Sequence, residues 1–465
     1  MFGLKRQLRY RSPYVQNFIS GICVGFSAGI YVALNLLGAG GGRPDSAQLV
    51  QIVNATLCAV WFFSASFGGS ILNLLGPGVT IVLYVGSLWY FDEVGKFAFP
   101  IVVGVVIGVG AGMVFITAGY IQTAYPEEGE KALYVTMQLN LAAVGSAIGG
   151  IIPVVINRNS ATTAGVPRAV YISFIVIMSC AALLALLLLP AHKLRRDDGS
   201  IVAADKARGA WQEFKANLLV FTDFKLLLMM PAFLPAECFL VYSGSVNAFH
   251  NDLRARSLLS FMAVVLQIPC GLALQWILDN KRWGRRTRAL IGLTAVAVPL
   301  VGSWIWEIIR VRGYDRHNPS TTPTDWSNPE FGWVFVLFML TWISSSLWQY
   351  VITYFIGALT NSPVTLAHYA GVFRGVLGAG EAICFGLDSI RIPYVDEAGG
   401  IFAFYCLGIV AFYYLAWYHI EDSNYFKSGE EGAVVPNHIL QEKGLDGEEV
   451  HGGERAQDTA VEMKA

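Results

Sequence analysis

Residues 46–91 read SAQLVQIVNATLCAVWFFSASFGGSILNLLGPGVTIVLYVGSLWYF, and none of them is charged. About 20 apolar helical residues cross the roughly 30 Å of hydrocarbon in a bilayer, so this run is long enough for two passes. The Gly76-Pro77-Gly78 triplet divides it, because proline removes a backbone donor and the glycines permit a tight reversal. Lipid cannot satisfy free backbone groups, which places the break at a membrane face. The same reasoning divides the charge-free run 331–373 at Asn361-Ser362-Pro363.

Composition extends the argument to the whole chain. Of its 465 residues 55% are hydrophobic and only 14% charged, with a mean hydropathy of +0.52, whereas soluble domains average about 25% charged. A soluble body so poor in charge would expose large apolar patches, so the bilayer is the solvent for much of the surface. A net charge of −1 offers no basic footprint for nucleic acid.

The chain is therefore expected to be an all-α polytopic membrane protein with about twelve transmembrane helices. The expected spans lie near 14–37, 48–74, 78–91, 98–124, 132–156 and 169–189, then 224–248, 257–278, 288–309, 332–356, 364–388 and 399–419. This gives an amino-terminal segment 1–13, a six-helix bundle 14–189, a polar linker 190–223 with a surface helix around Trp211-Gln212-Glu213-Phe214, and a second six-helix bundle 224–419. The tail 420–465, rich in Glu, Asp, Gly and Lys, is expected to be disordered. Lysine and arginine concentrate in the linker and in the cluster Lys281, Arg282, Arg285, Arg286 and Arg288. Cytoplasmic loops retain such residues, which puts both termini in the cytoplasm. Nothing in the sequence selects the plasma membrane over an organelle.

The seven cysteines all fall in apolar runs and read as small hydrophobes. Gly21, Gly25 and Gly29, and again Gly104, Gly108 and Gly112, recur every four residues. Such stripes let helix backbones approach closely in lipid and fit an inverted-repeat architecture. Charges inside spans cost roughly 2.5–3.5 kcal/mol each on insertion scales, so they face a partner or a wet cavity. Glu237 in span seven and Arg374 and Glu381 in span eleven are the candidates for a substrate or ion path. The competing reading is a buried ion pair that fixes helix register, and the depths of Glu237 and Arg374 permit one. Pro231 and Pro235 would loosen span seven beside Glu237. Asn35, Asn54, Gln138, Asn140, Gln267, Gln349 and His368 read mostly as interhelical hydrogen bonds. The histidines show no metal-ligand spacing, and the chain lacks Cys-x-x-Cys and a phosphate loop, so no metal, cofactor or ATP-driven chemistry is expected.

Two bundles joined by a linker resemble the major facilitator fold. Its loop motif is expected between spans two and three, where Gly69, Asn73 and Gly76 keep the spacing but asparagine replaces the acid. The corresponding loop between spans eight and nine has Asp279, Gly284, Arg285 and Arg286. The chain more closely resembles the uncoordinated-93-like branch, its fungal members in particular. The likeness is carried by Arg11-Ser12-Pro13, Ala124-Tyr125-Pro126-Glu127-Glu128, Asn251-Asp252-Leu253-Arg254-Ala255-Arg256, Gly357-Ala358-Leu359-Thr360-Asn361 and Tyr369-Ala370-Gly371-Val372-Phe373-Arg374-Gly375. Glu381 stands where a small apolar residue is expected in that family.

The resemblance implies either of two functions. One is a secondary transporter of a small solute or ion, with a central cavity contributed by spans one, four, seven and ten. The other is a transport-inactive regulator or trafficking escort of another membrane protein, such as an ion-channel accessory subunit. No enzyme chemistry is expected.

Overall fold

The computed structural model describes residues 9–36, 46–67, 98–157, 168–189, 193–202, 215, 218–317, 323–426 and 433–443. The third span, the Gly69, Asn73, Gly76 motif and the helix expected around Trp211 lie outside the described residues. Among the described residues there are helices and no strand. Ten helices are long and apolar enough to cross a membrane, and Ile175–Ala185 is a shorter apolar helix.

Helix α1 (Pro13–Val24) runs through a π-helical turn (Gly25–Gly29) into α2 (Ile30–Leu36), and α3 (Ser46–Phe67), α4 (Ala98–Ala124), α5 (Lys131–Asn157) and α6 (Arg168–Ala185) complete the described amino-terminal half. The second half comprises α7 (Phe224–Phe233), α8 (Cys238–His250), α9 (Leu253–Leu278), α10 (Arg285–Val311), α11 (Phe331–Leu359), α12 (Pro363–Ser389) and α13 (Tyr394–Tyr418). The last span begins at Tyr394, earlier than 399, because Asp396 and Glu397 in its first turn favour a helix amino terminus while depressing hydropathy. Asp252 likewise starts α9 early by accepting the Ala255 N–H at 2.8 Å.

Small residues set the packing within the first half. The Gly21, Gly25, Gly29 stripe lies on α5, and a Cβ added at Gly145 would sit 1.9 Å from the Gly25 carbonyl oxygen. The Gly104, Gly108, Gly112 stripe lies on α3, where a Cβ at Gly108 would be 2.5 Å from the Leu57 carbonyl oxygen. Both stripes are thus close helix contacts. Gly145→Val forces the α1–α5 backbones apart, and overpacking of this kind costs about 1–3 kcal/mol. Its unfolding midpoint and monodisperse yield are expected to fall well below those of Val155→Ala, a change at an exposed position.

The π turn has a local cause, since the Ser27 hydroxyl donates to the Cys23 carbonyl at 2.6 Å and competes with the helical ladder. Span seven is broken at mid-length. Pro231 is accommodated inside α7, but Pro235 opens a 3-10 turn over Leu234–Ala236, and helix resumes at Cys238 after Glu237. Carbonyls at the break are taken by side chains: Trp348 Nε1 donates to Ala232 O at 3.1 Å, Gln349 Nε2 to Ala236 O at 3.1 Å and the Tyr405 hydroxyl to Pro235 O at 3.0 Å. Helix α12 closes on the break, with a Cβ at Gly380 falling 2.0 Å from Leu234 O.

The halves meet through α3 against α12 and through α5 against α9. Asn140 spans the second contact, donating to Ile268 O at 3.2 Å and accepting from the Tyr350 hydroxyl at 2.7 Å. Both ends of the described chain lie on one face. Arg9 reaches Asp197, and Asn437 of the short helix α14 (Asn437–Lys443) donates its N–H to Asp198 at 2.7 Å. Among the described residues of the tail, Asn424, Val435 and Leu440 are buried.

Candidate functional site

The break in span seven delivers Glu237 to the middle of the molecule, and α12 delivers Arg374 and Glu381. Arg374 and Glu381 are 3% and 1% exposed. The ion pair of the competing reading is not formed: among the described residues no ion pair joins Arg374 to either glutamate. Glu237 Oε2, Arg374 Nε and Glu381 Oε1 are buried without a hydrogen-bond partner. Arg374 is held instead by aromatic rings, its Cζ lying 5.2 Å from the Phe115 centroid and 5.0 Å from that of Phe373. Phe115 stacks in turn on Trp61 at 4.6 Å. Glu381 receives only a weak donor, the Cys58 thiol at 3.5 Å.

These groups line two small cavities between the halves. One, of about 90 Å³, is bounded by Glu237, Arg374, Gln138, Gln267, Gln349 and the π turn at Gly29. The other, of about 50 Å³, is bounded by Glu237, Glu381, Tyr31, Trp61 and Phe115 among apolar neighbours. The polar residues expected to bridge helices do so here. Gln138 donates to Ser20 at 3.1 Å, Asn54 donates to Asn35 at 2.8 Å, and Gln267 accepts from Trp342 at 3.1 Å.

A larger cavity of about 390 Å³ lies between the halves toward the face opposite the termini, lined by Asn35, Gln51, Ser245, Arg316, Asp388 and Tyr394 among others. Arg316 is paired with Asp388 and, at 3.4 Å, with Glu397, and its Cζ stands 4.0 Å over the Tyr394 ring. Asp388 also accepts from Gln51 of the first half and from Ser245 at 2.6 Å. Burial works against the Arg316 charge, yet Tyr394 and Asp388 hold its pKa above the ordinary value.

On the face bearing the termini, each half caps a helix of the other. Lys131 Nζ donates to Gly357 O, to Thr360 O at 3.1 Å and to Asn361 Oδ1 at 2.9 Å, at the carboxyl end of α11. Asp279 accepts the Ala132 and Leu133 N–H groups at 3.2 and 2.8 Å, at the amino end of α5. Both charges complement the helix ends they meet. Arg285 pairs with Glu128 at 3.2 Å, and Glu128 also accepts from Asn361 and from the Asn424 N–H. The tail thus joins the closure, and His438 adds contacts of 3.6 Å to Glu127 and 3.7 Å to Asp198. Gly284 lies against Asp422, while Arg286 is exposed.

Burial lifts the Asp279 carboxyl to about 7, outweighing the Leu133 and Ala132 N–H bonds and the Arg288 charge, with Glu130 adding to the rise. An acid whose pKa burial raises binds its proton more tightly in the folded state, so its contribution to the stability of the fold is greatest below the ordinary carboxylate range and is lost as pH rises to about 7, although the two N–H bonds themselves favour the ionised form. The midpoint of global unfolding is expected to fall across that range. Asp279→Asn should flatten the dependence.

The three mid-span charges were legible because ions in apolar runs are rare. The closures at Lys131, Glu128, Arg316 and Asp388 were not, since charges at span ends and in loops resemble ordinary solvated groups. Nor was the buried pair Glu307–Arg310, with the Tyr242 hydroxyl donating to Glu307 at 3.0 Å. Its i, i+3 spacing near a span end was the available signal.

No protein-family model matches the chain. It is 33% identical over 396 residues to an uncharacterized membrane protein of Schizosaccharomyces pombe, covering 83% of this chain and 81% of that protein. It is 31% identical over 401 residues to UNC93-like protein 1 of Arabidopsis thaliana, covering 84% and 86%. Among solved structures it is similar to the major facilitator superfamily proton:xylose symporter XylE bound to 6-bromo-6-deoxy-D-glucose. The TM-score is 0.57 at 12% identity, covering 89% of this chain and 96% of that one. At that identity the likeness shows the fold, an integral multi-pass bundle of major facilitator type.

Proposed function

This chain belongs to the UNC93-like family, and from that premise we propose that it is a secondary transporter that moves a small solute or ion by alternating access between its two halves. The observation that carries the reading is the trio Glu237, Arg374 and Glu381, set between the halves with Arg374 and Glu381 buried and Glu237 half-buried, lining cavities and, among the described residues, without an ion-pair contact. A register-fixing pair would be expected to close on itself. Support also comes from the broken span seven, a device that brings helix ends and polar groups to a midplane site. In this reading the larger cavity opens access from one face while the Lys131, Asp279 and Arg285 contacts close the other. The closed face is assigned to the cytoplasm on the strength of its lysine and arginine content.

The test is flux in liposomes carrying the purified protein, with potassium, proton and small-metabolite gradients applied in turn. Saturable uptake that Glu237→Gln reduces is the expected result. Absence of flux under every gradient, together with a membrane protein captured at fixed stoichiometry from mild detergent, would replace transport by the regulator or escort function.

A further inference from the structure

Building on the transport reading, we infer that the 50 Å³ chamber lined by Glu237 and Glu381 is a binding site for a small, partly dehydrated monovalent cation. The chamber receives two carboxylates and, among the residues lining it, no lysine, arginine or histidine. Arg374 lines the neighbouring 90 Å³ cavity instead, and Phe115, stacked on Trp61 and 5.2 Å from the Arg374 Cζ, forms part of both walls. With all three side chains ionised the cluster keeps one negative charge in excess, facing a space walled mainly by carbon.

Uncompensated carboxylates in such surroundings are costly. Glu381 is 1% exposed, and both its Oε1 and Glu237 Oε2 are buried without a hydrogen-bond partner. A cation held between these oxygens would satisfy both while the π faces of Trp61 and Phe115 add attraction. Size and donor set limit the ligand. Roughly 10–15 Å³ by this measure holds one water, so the chamber of about 50 Å³ suits an alkali ion, ammonium or methylammonium with at most a few waters and is too small for a complete hydration shell. A calcium-type ion would require about 6–8 oxygen ligands, more than this wall offers.

The full-length protein in detergent is titrated at fixed pH and ionic strength with sodium, potassium, ammonium or methylammonium chloride, balanced by choline chloride, and thermal unfolding is read. At least one of the four is expected to give a saturable stabilisation. Its half-point should rise about tenfold or more in Glu381→Gln. Glu237→Gln serves as the second variant should the first not fold. No stabilisation by any of the four, equal stabilisation in the variants, or a response to pH alone would overturn the inference, the last by showing that a proton suffices. The two readings fail separately: solute flux without stabilisation by any of the four cations sinks the cation site but leaves transport standing. Glutamate-dependent binding without flux supports the site and sinks transport.

Discussion

Arg374→Gln is expected to cut the initial rate of flux roughly a hundredfold, equivalent to about 2.7 kcal/mol. The guanidinium rests on an aromatic shelf built by Phe115 and Phe373 and is the positive charge that acts on both glutamates, so its removal raises the negative charge left over in a low-dielectric site. Folded yield should also fall, so the single variant cannot separate a transport role from a packing role. The double variant Arg374→Gln/Glu381→Gln does separate them, because it removes one charge of each sign. Yield is expected to recover while flux stays near background. Recovery of both would mean that the three charges serve only to hold helices in register.

The spans were legible from the sequence because hydrocarbon leaves the backbone few options: an apolar run of sufficient length must be helical, and proline or glycine marks where it can stop. Span seven shows the limit of that logic. Pro231 and Pro235 were equally good candidates for the break, yet only Pro235 breaks the helix, where Trp348, Gln349 and Tyr405 from other helices stand ready to take the freed carbonyls. The site was partly legible for a related reason, since an ion in lipid is conspicuous. The sequence could place Glu237 and Arg374 at compatible depths but could not reveal that Phe115 holds the guanidinium by its ring. Glu381 was the least expected residue of the trio for its family, and it is the most completely buried. Lys131 escaped attention because a charge at a span end is commonplace until the fold shows which helix terminus it meets, and Asp279, marked as a loop-motif acid, gave no sign that it caps the amino end of α5.

Lys131→Met is expected to shift the protein toward a conformation open on the face bearing the termini, by roughly 30-fold or more. Lys131 is 3% exposed, and its ammonium donates to two carbonyls and one side-chain oxygen at the end of α11. Hydrogen bonds to a charged donor contribute about 1.5–3 kcal/mol each, and methionine fills a similar volume without supplying any. A single cysteine replacing buried Ala132, one residue along α5, is the reporter, and its modification by a membrane-impermeant thiol reagent should accelerate by a comparable factor. Asp388→Asn acts on the opposite closure, where Arg316, Gln51 and Ser245 converge, and is expected to slow that modification. If both changes act on one equilibrium between two conformations, the double variant must return most of the way to the parent rate, because the two changes bias that equilibrium in opposite directions. Independent, additive loosening of both faces would instead show that the two ends are not mechanically exclusive, which alternating access does not permit.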